Sequence, residues 1–194
     1  MLETLFKYFE HKSGIGLNDD QKTLIEAKFR VKKLRKKQYL QQEGDICKYM
    51  SFVVKGSARM FSVDEKGHEH IIQLGIENWW LGDYESYMLQ TPSKFHVEVL
   101  EDTLLLIVSK EGIQQLVESI PAVAEAIKAI DKRSIIATQH RIHAAISLSA
   151  EERFEMLIKT YPDFLQRFPQ GMIASYLGIS AETLSRLKKN MVYR

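Results

Sequence analysis

The sequence is poor in the residues that signal a covalent framework or a life in a membrane. Its single cysteine, Cys47, cannot close an internal disulfide, and one thiol per chain cannot hold an iron-sulfur cluster or a paired-cysteine zinc site. No run approaches the roughly 18 apolar residues of a spanning helix, and no charged-then-apolar signal pattern opens the chain. The expected location is therefore the cytoplasm, with no membrane partner. Charge of one sign is also lacking: 27 basic residues against 25 acidic leave a net charge of +2, too little by itself to indicate a nucleic-acid partner, so the placement of charge matters more than its sum. Nucleophile-elbow, phosphate-loop and zincin spacings are all missing. These absences leave no case for an enzyme and imply no cofactor.

What is present is a chain with 45% hydrophobic residues over 194 positions, enough for a real core. The first 28 residues read as helical. LETLFKYF places Leu2, Leu5, Phe6 and Phe9 at helical spacing, and Asn18-Asp19-Asp20 before QKTLIEAKF resembles a capped second helix. From Phe29 the texture changes to short β-branched and aromatic runs between glycine-containing turns, such as KYMSFVVKG, SARMFSVDEKG and HEHIIQLG, with VEVLEDTLLLIVS adding two more strands. Strands this short and even predict a β-barrel or sandwich over about 29 to 109.

Helical texture returns after Ser109. SKEGIQQLVESI makes one helix, Pro121 opens the next, and the run from Ala122 to Leu148 contains neither Gly nor Pro. Along it Val123, Ile127, Ile130, Ser134, Ala137 and Arg141 form one seam, and Ile135, Ile142 and Ile146 form another beside it. A helix apolar on two faces can cover the barrel with one and meet a second copy with the other; the plainer alternative is a core helix of a monomer. Ser149-Ala-Glu-Glu152 is a capping box that opens a further helix, EERFEMLIKTY, before Pro162. The organisation expected is α+β: a sensor domain over 1–120, a dimerisation helix over 121–148 with Ile127, Ile130, Ile135 and Ile142 at the interface, and a terminal helical domain over 149–194.

That terminal domain closes on QGMIASYLGISAETLSRLKKN, Gln170 to Asn190. Ala174 is small where two helices would cross closely, Gly178 can take the positive φ of a tight turn, and Ile179 can plug between the helices. Ser180 offers an N-cap hydroxyl, with Glu182 in the first turn. Leu184, Leu187 and Met191 share a buried stripe. Ala181, Glu182, Ser185, Arg186 and Lys189 lie opposite, where a helix-turn-helix presents its reading residues to the major groove. Arg186 suits guanine through two bonds, and Glu182 suits a cytosine amino group. The alternative is a small helical hairpin with a solvated basic face.

GISAETLSRLKK resembles the recognition helix of the cyclic-AMP receptor/Fnr (Crp/Fnr) family of bacterial transcription regulators, in which a glutamate and an arginine at the Glu182 and Arg186 positions read the operator. The arginine that the family places before that glutamate is Ala181 here, so the operator sequence does not carry over. The resemblance extends upstream, with Gly44-Asp45, Gly56, Gly67 and Gly82-Asp83 falling where the family places the turns of its cyclic-nucleotide-binding barrel. It implies a β-roll, a long dimer helix and a C-terminal DNA-binding domain. The partners it implies are double-stranded DNA, a second copy of the chain, a small-molecule effector that the sequence does not name, and RNA polymerase. The family's two-stranded wing would have to follow Asn190, where Met191-Val192-Tyr193-Arg194 is too short for a hairpin. Phosphate contacts would then fall to Lys188, Lys189, Arg194 and the helix N-termini.

The family's phosphate cassette pairs a Gly-Glu with an Arg-Ser about ten residues on. Here WLGDYESYMLQTPSKFHVEV supplies Gly82-Asp83, and an ungapped count puts Ser93-Lys94 in the Arg-Ser places. Asp83 is one methylene short, and without the arginine a desolvated phosphate loses its strongest charge-assisted bonds. Lys94 is one position late and carries a point charge instead of a fork. Thr138 falls where the receptor sets a threonine against adenine. Cyclic AMP is therefore not the expected effector, and the pocket formed by Gly82, Asp83, Ser93, Lys94 and Thr138 is expected to be degenerate. Trp79, Trp80, Tyr84, Tyr87 and Phe95 crowd it with aromatic surface, as barrel core or as the lining of a remodelled pocket.

Other sites compete more weakly. FRVKKLRKK, Phe29 to Lys37, is basic enough to attract phosphate, but its place before the barrel favours a solvated first strand with Phe29, Val31 and Leu34 inward. His140 and His143 sit one turn apart, and His68 and His70 share a strand face, yet neither pair has a third ligand nearby in sequence. The main reading is a homodimeric DNA-binding regulator. The rival is a sensory or scaffold module that keeps the barrel beside a decayed hairpin.

Overall fold

The computed structural model describes residues 1–192, with side chains to Asn190. Two helices open the chain, α1 (Leu2–Ser13) and α2 (Asp19–Lys28). The first buries Leu5, Phe6 and Phe9 and ends on Gly14 in the left-handed region, φ 71°. The second starts from a reciprocal capping box between Asn18 and Gln21.

Eight strands follow: β1 (Arg30–Leu34), β2 (Tyr39–Gln41), β3 (Tyr49–Lys55), β4 (Ala58–Val63), β5 (Glu69–Gly75), β6 (Trp80–Leu81), β7 (His96–Val99) and β8 (Thr103–Ser109), with a short α3 (Tyr84–Leu89) between β6 and β7. They form two four-stranded sheets, β1-β8-β3-β6 and β2-β7-β4-β5. The pairings recorded between their strands are antiparallel. The spacing of short runs predicts a barrel or sandwich, and the two sheets form the β-roll that the family resemblance implies.

The period of two along each strand divides the core. Val53, Leu105 and Ile107 of the first sheet meet Ala58 and Val99 of the second inside the roll. Phe52, Leu106 and Val108 point the other way and are covered by helices, in one cluster with Leu5, Phe9, Ile25 and Phe29. Phe52 and Leu106 are fully buried, and each contributes on the order of 1.5–3 kcal/mol by leaving water. At the β3–β4 turn Gly56 has φ 106°, and a Cβ there would lie 2.4 Å from Thr103 Oγ1, so the position requires glycine. The expectation for Val31 fails: it is 46% exposed. Its partner Leu106 lies under the helices, but β1 is an edge strand and the helical cover does not reach it. Phe29 and Leu34 are buried or half-buried as expected.

The remaining elements are helical: α4 (Lys110–Ser119), α5 (Pro121–Ser147), α6 (Ala150–Thr160), α7 (Phe164–Arg167), α8 (Gln170–Leu177) and α9 (Ala181–Val192). Ser149 and Glu152 make the capping box that opens α6. The chain divides into two compact units. One contains Met1–Ser62 and Gln73–Arg133; the other contains Val63–Ile72 and the chain from Ser134 onward. The tip of the β4–β5 hairpin therefore belongs to the same unit as the terminal helices. Within that unit Phe154, Leu157, Phe164, Phe168, Ile173, Ala174 and Leu184 are buried, and Phe164 lies in ring contact with Tyr161, Phe168 and Tyr176.

Candidate DNA-reading surface and effector pocket

Helices α8 and α9 are joined by a turn built from the residues that the sequence marks for it. Gly178 takes φ 66°, ψ 39°, and the Ile179 N–H donates to the Ala174 carbonyl at 3.0 Å, which closes α8 without a side-chain cap. Ser180 Oγ accepts the Thr183 N–H at 3.2 Å, the N-cap bond of α9. Ala174 and Leu184 are buried between the helices, and Leu187 is half-buried. Met191 and Arg194, expected on the buried stripe and at phosphates, lie outside the described side chains.

The opposite face of α9 is open. Ser180, Ala181, Glu182, Ser185, Arg186 and Lys189 are exposed and Lys188 is half-exposed. The Glu182 carboxyl is held below the usual carboxylate range by its own backbone N–H, by the Ser180 hydroxyl and by the charge of Arg186. It is thus an ionised acceptor at the head of the helix at neutral pH. Arg186 Nη2 donates to Thr183 Oγ1 at 3.3 Å, and that hydroxyl is 3.2 Å from Ser180 Oγ. Sequence reasoning missed Thr183, because a helical threonine carries no signal of what its hydroxyl meets.

The cassette residues are arranged differently from a phosphate site. Gly82 has φ 145°, and a Cβ there would approach Met50 Sδ to 2.8 Å. Asp83 is 5% exposed. One of its oxygens accepts the Ser86 N–H and so caps α3, and the other accepts the Ser93 hydroxyl at 2.8 Å. Ser93 Oγ also accepts the Phe95 N–H. The two positions are thus brought together, with each satisfied by local partners. Lys94 points outward, 3.7 Å from Glu85 with both side chains largely solvated, a pair worth little in stability. Thr138 is exposed on α5. A guanidinium buried in the roll belongs instead to Arg59, whose Nε donates to Glu98 Oε2 at 2.7 Å.

The aromatic residues divide. Trp80 stacks among Phe9, Phe29 and Phe52 on the helix-covered side of the roll. Tyr87 is buried, Phe95 is half-buried, and Tyr84 is 56% exposed. Burial pushes the Tyr87 hydroxyl well above its ordinary range.

On α5 the expected interface residues also divide. Ile127 is half-buried against the helix-covered core, and Ile130 is half-buried. Ile135, Ile142 and Ile146 are 60%, 55% and 80% exposed, an apolar face left largely uncovered by the described residues. His140 and His143 are exposed on the same helix. His68 and His70 share a partner that sequence reasoning overlooked: both rings lie within 3.2 Å of Asp64 Oδ2. Among the described residues no group of three or more His, Cys, Asp or Glu is placed to hold a metal ion. No helix among them is long and apolar enough to cross a membrane.

A model of the cyclic nucleotide-binding domain matches residues 31–119. The chain is 25% identical over 180 residues to the anaerobic regulatory protein of Haemophilus influenzae, covering 87% of this chain and 68% of that protein. It is 25% identical over 184 residues to the transcriptional activator protein anr of Pseudomonas aeruginosa, covering 87% and 73%. Among solved structures it is similar to FixK2 from Bradyrhizobium japonicum, with a TM-score of 0.71, 17% identity and 85% of each chain covered. With a β-roll, a long helix and a helix-turn-helix in that order, the chain carries a cyclic nucleotide-binding domain and is similar along most of its length to transcription regulators of the Crp/Fnr type.

Proposed function

We infer that the protein is a sequence-specific DNA-binding transcription regulator, acting in the cytoplasm as a homodimer whose activity does not depend on cyclic AMP. The observation that carries this reading is the turn from Ala174 to Thr183, closed by Gly178 and capped by Ser180, with Glu182, Ser185, Arg186 and Lys189 exposed on one side of α9. Such a helix presents an ionised carboxylate and a guanidinium to base edges, with lysines beside them for phosphates.

The sensor role falls to residues 1–120, the dimer contact to 121–148 and DNA reading to 149–194. The exposed isoleucines of α5 support the dimer, since a row of three apolar side chains left in water is a seam awaiting a partner helix. RNA polymerase is the further partner of a transcription regulator, and the relative named as a transcriptional activator supports it. The cassette supports the loss of cyclic-AMP response: Asp83 and Ser93 satisfy each other, and Lys94 faces solvent. A remodelled effector of other chemistry is left to the same roll.

A gel-shift survey of genomic DNA fragments tests the reading. A discrete set of retarded fragments, released by Arg186→Ala, is expected. Uniform failure to bind at micromolar protein and low salt would refute it.

A further inference from the structure

The first helix of the DNA reader is fastened to the free edge of a β-strand. In its sheet β5 is the terminal strand, so its outward N–H and C=O groups lack a neighbouring strand. Ser175, on α8, takes that neighbour's place. Its Oγ accepts the Ile71 N–H at 3.0 Å and donates to the Glu69 carbonyl at 3.2 Å. These two backbone groups are two residues apart on one edge, and a hydroxyl can serve both because it is donor and acceptor at once. Next to this contact Arg141 of α5 donates through Nη1 to the Ile72 carbonyl, and its guanidinium sits 5.1 Å from the centre of the Tyr176 ring, one residue along α8 from Ser175. All of these groups lie in the unit that contains Val63–Ile72 and the chain from Ser134 onward.

We propose that Ser175 and Arg141 form a latch that seats α8 on the edge of β5 and thereby sets the pose from which α9 reads DNA. They are positioning residues, and neither belongs to the reading face. The inference rests on the DNA-reading function proposed above. With the latch engaged, Glu182, Ser185, Arg186 and Lys189 remain exposed, so the latch leaves the reading face open and belongs to the DNA-competent form. Strand β5 runs from one compact unit into the other between Ile72 and Gln73.

The test uses the full chain and a fragment retarded in the genomic survey. Ser175→Ala keeps the helix, since alanine is the better helix former, and removes both bonds to β5. Its affinity should fall roughly tenfold, the scale of one or two net hydrogen bonds, while Ser175→Thr restores it. Arg141→Ala should weaken binding in the same direction. Amide exchange at Ile71 should be slower in the wild-type DNA complex than in the free protein, and fast in Ser175→Ala, a local readout that a general loss of stability would not single out. Wild-type affinity in both variants with unchanged Ile71 exchange would overturn the latch and leave the DNA-reading function standing. Tighter binding by Ser175→Ala would overturn it too, by making the contact inhibitory. A wild type that binds no fragment would sink both proposals.

Discussion

The Ser93 hydroxyl donates to the Asp83 carboxylate at 2.8 Å, between side chains that are 3% and 5% exposed. In a cyclic-AMP cassette these positions belong to the arginine that neutralises the phosphate and the carboxylate that binds the ribose. Here they bind each other, and Asp83 also caps α3. Calorimetry with cyclic AMP should therefore show no binding, or binding weaker than millimolar. The double variant Asp83→Glu, Ser93→Arg should gain at least about tenfold, since it restores a charge-assisted fork. Micromolar affinity in the wild type would contradict this account of the pocket.

The exposed isoleucines of α5 make the dimer testable without disturbing the roll. Ile127 is a poor probe, because it packs on its own core and a charge there would unfold the domain as well. Asp substituted at Ile135 and Ile142 should convert a sedimenting dimer to a monomer with the thermal transition of the sensor domain retained. Wild-type protein that sediments as a monomer at micromolar concentration would defeat the claim.

Arg186 and Lys189 should separate specificity from affinity. Arg186→Ala should cost about 1–3 kcal/mol of discrimination at one base pair. Lys189→Ala should weaken all sequences alike and reduce the salt slope by about 1. Fluorescence anisotropy on matched and mismatched duplexes reads both. Equal loss on every duplex for Arg186→Ala would remove it from base reading.

The β4–β5 turn should be acid-sensitive. The His68 backbone N–H first, then the His70 ring, hold the Asp64 carboxyl well below its ordinary range. A carboxylate depressed in the folded state stabilises that state fully above its unfolded pKa, near pH 4, and loses the contribution as pH falls through the depressed folded value. The protection of the His68 amide, its exchange rate divided into the intrinsic rate at each pH, should fall in the wild type as pH drops from about 5. In Asp64→Asn protection should be low already at the higher pH, with little further change on acidification.

Burial pushes the Cys47 thiol up, and its side chain is 3% exposed. Reaction with a thiol reagent at neutral pH should be far slower in the native protein than in denaturant, because both the thiolate fraction and access are low. Equal rates would show that the loop from Gly44 to Lys48 opens freely.

The sequence by itself determined the local devices of this protein. Asn18 with Gln21, Ser149 with Glu152, and Gly178 followed by Ser180 act over three or four residues, within the reach of one helical turn, so their types and spacing were sufficient to place helix starts and the reader's turn. The apolar runs of β3 and β8 likewise marked strands, but both faces are apolar, so only the fold decided that Val53, Leu105 and Ile107 enter the roll while Phe52, Leu106 and Val108 lie under helices. Only the tertiary structure decided the rest. Whether Val31 is covered depends on how far the helices extend over an edge strand. Whether Ser93 meets a ligand or Asp83 depends on two loops ten residues apart folding onto each other. Ser175 and Ile71 are 104 residues apart, and a helical serine looks the same in sequence whether its hydroxyl faces water or completes the edge of a sheet. Such a bond is specified by the meeting of two surfaces, and no periodicity in either segment encodes it.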